Sequence, residues 1–135
     1  MNFEWPVRIY IEDTDAGGIV YHANYLRFLE RARTEWLRHL GISQEALRQQ
    51  DCIFVVSELA IRYQKPARLD DELIVTLAVE RLRRASLTVR QTLLRPLDLL
   101  EVETLATAQV ELACTSLAGR ILPLPAAFLN ALQHA

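Results

Sequence analysis

Between Arg8 and Leu40 (RIYIEDTDAGGIVYHANYLRFLERARTEWLRHL) the spacing of apolar residues changes from two to three-and-four, and the chain holds no second helical pattern as long. Val7, Ile9 and Ile11 alternate with Arg8, Tyr10 and Glu12, the pattern of a strand with one buried face. From about Ala23 onward Tyr25, Phe28, Leu29, Ala32, Trp36, Leu37 and Leu40 follow at helical spacing, with Arg27, Glu30, Arg31, Glu35 and Arg38 mostly opposite. This predicts an amphipathic helix of about 16 residues, about 24 Å long at its standard rise. Asn24 or a neighbour is the expected start cap, and Gly41 stands where a glycine ends a helix. With one such helix, the rest of the core has to come from strands.

The remaining sequence meets that requirement. Trp5-Pro6 keeps the start extended, and Ser43 opens a short second helix. Leu59, Ile61 and Tyr63 alternate with polar or small residues before Pro66 stops the run; Leu73, Val75, Leu77 and Val79 do so again, then Leu87, Val89 and Leu93. The last run puts Val102, Ala106, Ala108, Val110, Leu112 and Cys114 on one face, and its small middle residues are expected to let a helix approach closely. Pro123 and Pro125 break that run, and Ala126 to Gln133 form a terminal helical turn or two. The gaps near 66–72, 83–86 and 95–101 are too short for parallel crossovers, so the strands are expected to follow one another antiparallel. The fold class is α+β: an antiparallel sheet of about five strands wrapped around one long central helix, with residues 1–135 as one domain. Such a sheet leaves edge strands exposed, and self-association is the natural remedy.

Composition narrows the function. With 51% hydrophobic and 24% charged residues the chain is globular, and a net charge of −2 gives no general pull toward nucleic acid or an anionic membrane. Any basic site is therefore local. The N-terminus lacks the pattern of a signal peptide and no apolar run reaches membrane-spanning length, so a cytoplasmic, soluble protein is expected. Cys52 and Cys114 stand singly in apolar runs, as buried reduced thiols do, without the spacing of a zinc site.

Chemistry has few places to reside. Of the three histidines, His134 lies in the tail and His39 in the last turn of the long helix, where a cation suits the dipole. His22 stands seven residues after Asp15, at the approach to the helix start. A lone histidine near an apolar stretch more often serves structure than catalysis. Glu12, Asp13 and Asp15 can equally be turn-stabilising acids. A calcium loop counted from Asp13 has its glycine at Gly18 but Asn24 where the bidentate acid belongs, so no metal site is expected. A carboxylate, an imidazole and free amides at a helix start suit acyl transfer to water. There is no GxSxG elbow and no cysteine near His22, so a serine or cysteine triad has no support.

At these residues a resemblance emerges. Tyr10 to Leu37, with EDTDAGG, VYHANYL and ERARTEWL, is similar to the signature of the hotdog-fold acyl-CoA thioesterases of the 4-hydroxybenzoyl-CoA thioesterase superfamily. In detail it resembles the YbgC-type members associated with the Tol-Pal system. Tyr63-Gln64-Lys65-Pro66-Ala67-Arg68-Leu69-Asp70-Asp71 resembles a second recurring block, and the likeness spans about residues 5–125.

The resemblance implies a hotdog fold, assembly into homodimers or tetramers, and hydrolysis of an acyl-CoA thioester with no cofactor beyond the coenzyme A of the substrate. It places the catalytic carboxylate on Asp15 and the motif histidine on His22, whose backbone N–H would polarise the thioester carbonyl. Asp13 is expected to organise the loop. Coenzyme A needs cations for its phosphates: Arg83 and Arg84 at one strand turn, with Arg81 beside them, and Lys65 with Arg68 at another, are the candidates. An acyl pocket is expected along the helix near Val55 and Val56. The resemblance tilts toward aliphatic acyl groups, and implies acyl carrier protein as a further partner and a peripheral place at the inner membrane. Two other readings are a hydratase or dehydratase of acyl thioesters, and a scaffold for acyl carrier protein with little hydrolysis.

Overall fold

A computed structural model describes residues 2–135. In chain order they form β1 (Asn2–Arg8), a 3-10 turn (Ile11–Asp13), α1 (Asn24–His39), α2 (Gln44–Gln49), β2 (Ile53–Tyr63), β3 (Glu72–Leu82), β4 (Ser86–Pro96), β5 (Val102–Thr115) and α3 (Ala126–Gln133). All five strands join one antiparallel sheet in the order β1-β3-β4-β5-β2. One face of that sheet is packed by α1, giving the α+β hotdog arrangement expected from the sequence.

Helix α1 has the expected length of 16 residues, and Tyr25, Phe28, Leu29, Ala32, Trp36 and Leu37 are buried along its inner stripe. Each large apolar side chain buried there contributes about 1.5–3 kcal/mol. Gly41 ends the helix at φ +80°, donating to the Arg38 carbonyl at 2.9 Å while Ile42 donates to that of Leu37 at 2.8 Å. That pair of bonds needs a left-handed residue at position 41, which glycine adopts without steric cost. Ser43 caps α2 by accepting from the Ala46 amide at 3.1 Å, as expected.

Four expectations change. First, β1 spans Asn2–Arg8 and lies at a sheet edge, where Pro6 costs no ladder bond toward a further strand. Ile9 is buried beyond it, but the 3-10 turn swings Ile11 out to 76% exposure, so the alternation stops short of residue 11. Second, β2 and β3 are not neighbours: residues 64–71 carry the chain past the ends of β5 and β4, so that β3 lies between β1 and β4. Third, α1 begins at Asn24 with Ala23 as an uncapped boundary, and Asn24 makes no cap bond. Fourth, the register of β5 against β4 steps from Leu93↔Ala106 to Leu94↔Thr104, so Val102 leaves the face it was expected to share and is exposed. The backbone of α1 comes nearest β3 and β1, not the small residues of β5. Ala108 instead lies opposite Gln91, a fully buried amide on β4.

The register also joins two residues far apart in sequence. Phe54 pairs with Cys114, and the thiols of Cys52 and Cys114 meet at 3.2 Å, both free. Cys114 is buried and Cys52 half-buried. Burial first, and the hydrogen bond with Cys52 second, push the Cys114 thiol up to about 12. Cys114 therefore stays protonated and unreactive at neutral pH. Iodoacetamide at pH 8 is expected to alkylate Cys52 more than about tenfold faster than Cys114 in the native protein, and both alike after denaturation, as read by peptide mass spectrometry.

Candidate active site

The segment between β1 and α1 folds back on itself as a small hairpin. Asp15 donates its amide to the Ile19 carbonyl at 2.8 Å, Thr14 bridges Val20, and Tyr21 donates to the Asp13 carbonyl at 3.0 Å. Asp15 and His22 thus stand on opposite arms of one short hairpin, closed by Gly18 at φ +78°. A side chain at residue 17 would put its Cβ 3.2 Å from Asp15 Oδ1, tighter than normal packing, so Gly17 leaves that carboxylate room.

The acids of this loop divide the work. Asp13 is buried: one oxygen accepts from the Tyr10 amide at 2.8 Å and the other from the Asn24 side-chain amide at 2.9 Å, tying the end of β1 to the first residue of α1. Asp15 is exposed, with Oδ1 accepting from the Gly17 amide at 2.8 Å and Oδ2 accepting no hydrogen bond from the described residues. Glu12 lies exposed in the 3-10 turn.

The hairpin is sewn to the 64–71 crossing. Val20 donates to the Ala67 carbonyl at 2.9 Å, Ile19 bridges Arg68, and the Ala67 amide donates to the Tyr25 hydroxyl at 2.9 Å. At the end of β2 the Tyr63 hydroxyl donates to the His22 carbonyl at 2.8 Å, and its ring meets that of Tyr25 edge-on at 5.0 Å. Burial, then the neighbouring Tyr25, raise the Tyr63 pKa above its ordinary value, so the hydroxyl stays a donor. With its carbonyl fixed this way, the His22 peptide has little freedom. The His22 ring lies exposed against Tyr21, with centroids 4.6 Å apart, and bonds neither Asp15 nor any other described side chain.

The backbone at the helix start is left open. Neither His22 nor Ala23 donates its amide to any group among the described residues, and the first turn of α1 carries no acidic side chain. Unpaired amides at the positive end of a 16-residue helix suit an oxygen that gains negative charge. The structure therefore brings Asp15, His22 and free helix-start amides into one loop.

The candidate cations fare differently. Lys65 lies at the same end of the sheet, paired with Glu103 at 2.7 Å; Arg95 pairs with Glu103 at 2.7 Å and with Asp71 at 2.8 Å. Hydrogen bonds from Lys65 and then Arg95 hold the Glu103 carboxyl below its ordinary value. Arg83 and Arg84 occupy the β3–β4 turn at the opposite end of the sheet, about 33 Å along β3 at 3.3 Å per residue. Within one chain they do not meet Asp15. Among the described residues no group of three or more His, Cys, Asp or Glu is placed to hold a metal, and no helix is long and apolar enough to cross a membrane.

Val55 and Val56 do line a cleft beside α1, of about 290 Å³, together with Phe54, Leu112, Trp36 and Phe128. Phe128 of α3 closes it, edge-on to Trp36 at 5.7 Å. Two buried polar residues escape a reading by residue type: Arg33, which lines the cleft and donates to the Gln91 side-chain carbonyl at 3.0 Å, and Gln91, which donates to the Leu29 carbonyl at 3.0 Å. The signal for both was phase. Arg33 stands four residues from Leu29 and from Leu37, and Gln91 is in step with Val89 and Leu93.

Known proteins share this fold. The thioesterase-like superfamily matches residues 9–132, and the chain belongs to that family. It is 47% identical over 122 residues to the acyl-CoA thioesterase YbgC of Haemophilus influenzae, covering 90% of this chain and 85% of that one. It is 53% identical over 89 residues to the acyl-CoA thioester hydrolase YbgC of Escherichia coli O157:H7, and that match spans 66% of each protein's length. Among solved structures it resembles a probable thioesterase from Bartonella henselae, with TM-score 0.80 and 34% identity over 92% of this chain and 98% of that one. A 4-hydroxybenzoyl-CoA thioesterase variant in complex with 4-hydroxybenzoyl-CoA shares the fold, with TM-score 0.88 at 20% identity over 96% of this chain and 97% of that one. By the names these relatives carry, the family is one of thioester hydrolases.

The division of labour between the two aspartates is open to a stability measurement. Asp13→Ala is expected to lose about 1–3 kcal/mol in urea unfolding, because two donors lose a buried acceptor. Asp15→Asn is expected to stay within about 0.5 kcal/mol of the parent, because an amide oxygen still accepts from Gly17.

Proposed function

We propose that this chain hydrolyses acyl-CoA thioesters to free acid and coenzyme A, with Asp15 as general base or nucleophile and the helix-start amides at His22 as the oxyanion hole. The observation that carries this reading is the pairing of an exposed, half-satisfied carboxylate with backbone amides that have no acceptor of their own. In the general-base route Asp15 takes a proton from water and the resulting hydroxide adds to the thioester carbon. The tetrahedral oxyanion rests on the His22 and Ala23 N–H groups, and its collapse breaks the C–S bond. The leaving thiolate takes up the proton held by Asp15, which restores the carboxylate. In the nucleophilic route a carboxylate oxygen of Asp15 attacks the thioester carbon, and the C–S bond breaks to release the thiolate, which takes up a proton from solvent. Water then cleaves the resulting anhydride to the free acid and the Asp15 carboxylate. One such oxyanion donor is worth about 2.7–4 kcal/mol, so the amides account for much of the acceleration. The His22 ring has no hydrogen-bonded carboxylate to tune it, and its part is to shape the mouth of the site.

The cleft at Val55 and Val56 fits the acyl group, and its apolar walls favour an aliphatic one. The free edge of β2 fits a second copy of this chain: β1, the other edge, is shorter and interrupted by Pro6. Antiparallel two-fold pairing of β2 with its copy would lay the second copy's Arg83-Arg84 turn toward this chain's Asp15 end. That is how Arg83 and Arg84 would reach the coenzyme A phosphates, with Lys65 nearer but already shared with Glu103.

Thiol release from acyl-CoAs of graded chain length tests the reading. Asp15→Asn is expected to lose at least about hundredfold in kcat. His22→Ala is expected to lose less than about tenfold, or 1.4 kcal/mol, because it keeps the backbone amide. A folded parent protein that turns over no CoA ester would overturn the proposal, and activity confined to acyl carrier protein thioesters would move it to that substrate.

A further inference from the structure

We propose that the cleft between α1 and β2 is a binding site for an aliphatic carboxylate, with the chain against Phe54, Val56 and Phe128 and the carboxylate on Arg33. Arg33 is only 8% exposed and lines a cleft whose other walls are largely apolar. Its guanidinium offers five donors, and among the described residues only the neutral Gln91 accepts from it. Gln91 is neutral and supplies no charge, and its NH2 group is committed to the Leu29 carbonyl. No carboxylate lies within ion-pair distance of Arg33 among the described residues.

A buried cation without an anion is costly, and arginines buried to this degree are normally paired. Burial lowers the Arg33 pKa from its ordinary value, against the pull of Glu30 at the solvent side of the cleft. Glu30 is exposed, one turn away on the same helix, and does not reach the guanidinium. Arg33 lines the cleft, and its remaining donors suit the planar, bidentate geometry of a carboxylate. A volume of about 290 Å³ lies near the lower end of small-ligand pockets, about 300–1,000 Å³, which suits a short chain.

Such a carboxylate has two sources: the far end of a dicarboxylic acyl thioester, or a free monocarboxylic acid of the kind hydrolysis releases. Only this choice of source rests on the thioesterase reading, because carboxylate binding is measurable without turnover. Calorimetric titration of the intact protein with hexanoate and with hexan-1-ol reads it directly, with Trp36 fluorescence as a second signal from the cleft wall. Hexanoate is expected to bind at least about tenfold more tightly than hexanol. Arg33→Met should erase that difference and Glu30→Gln should tighten hexanoate alone. Val56→Trp, which leaves the Arg33–Gln91 bond intact, should abolish binding of both.

Equal affinity for acid and alcohol in the parent, or undiminished hexanoate binding in Val56→Trp, would overturn the proposal. If Arg33→Met does not fold, the parent, Glu30→Gln and Val56→Trp titrations still decide it. A higher kcat/KM for adipyl-CoA than for hexanoyl-CoA, lost in Arg33→Met, would assign the site to the substrate's far end. Equal kcat/KM values with competitive inhibition by hexanoate would assign it to the released acid. Hexanoate binding without turnover of either ester would leave the carboxylate site standing and remove the thioesterase reading.

Discussion

The buried carboxylate of Asp13 is the interaction on which the site depends. It binds the Tyr10 amide and the Asn24 side chain together, and so fixes where β1 ends, how the 3-10 turn is oriented and where α1 begins. It takes the side-chain NH2 of Asn24, the first residue of α1, while the N-cap position is Ala23, which has no polar side chain to cap with. The His22 and Ala23 amides, just before α1, keep no internal partner. Asp13 thus holds the loop, and Ala23 at the N-cap leaves the helix end open.

The sheet order supplies the second half of the site. Because β3 lies beside β1 and not beside β2, residues 64–71 must cross the sheet end next to the Asp13–Gly18 loop. That crossing carries the bonds from Ala67 to Val20 and Tyr25, and brings Tyr63 under the His22 peptide. The ion pairs of Lys65 and Arg95 with Glu103 and Asp71 brace the same end. The Lys65 pair is exposed and worth about 0–1 kcal/mol, whereas Arg95, Glu103 and Asp71 are half-buried.

The sequence made α1, Gly41 and the phase of β3 and β4 readable, because burial on one face imposes a period that survives whatever the neighbours are. Asp13 as loop organiser was readable from turn chemistry. Pairing order was not, since β2 and β3 follow one another in sequence and only the packed sheet separates them. The same register brings Cys52 to Cys114, which no local pattern reveals. Arg33 and Gln91 were passed over for a related reason: their polarity suggested solvent, while their phase placed them inside. For His22 the residues alone favoured a structural reading and for Asp15 they left a turn-stabilising one open, and family resemblance gave both their expected roles.

The most direct test of the central claim is a crystal structure of the Asp15→Asn variant with a bound acyl-CoA. The account predicts the thioester carbonyl oxygen within about 3.2 Å of the His22 or Ala23 amide nitrogen, with the carbonyl carbon facing residue 15. A carbonyl held by other donors, with both amides still unbonded, would contradict it.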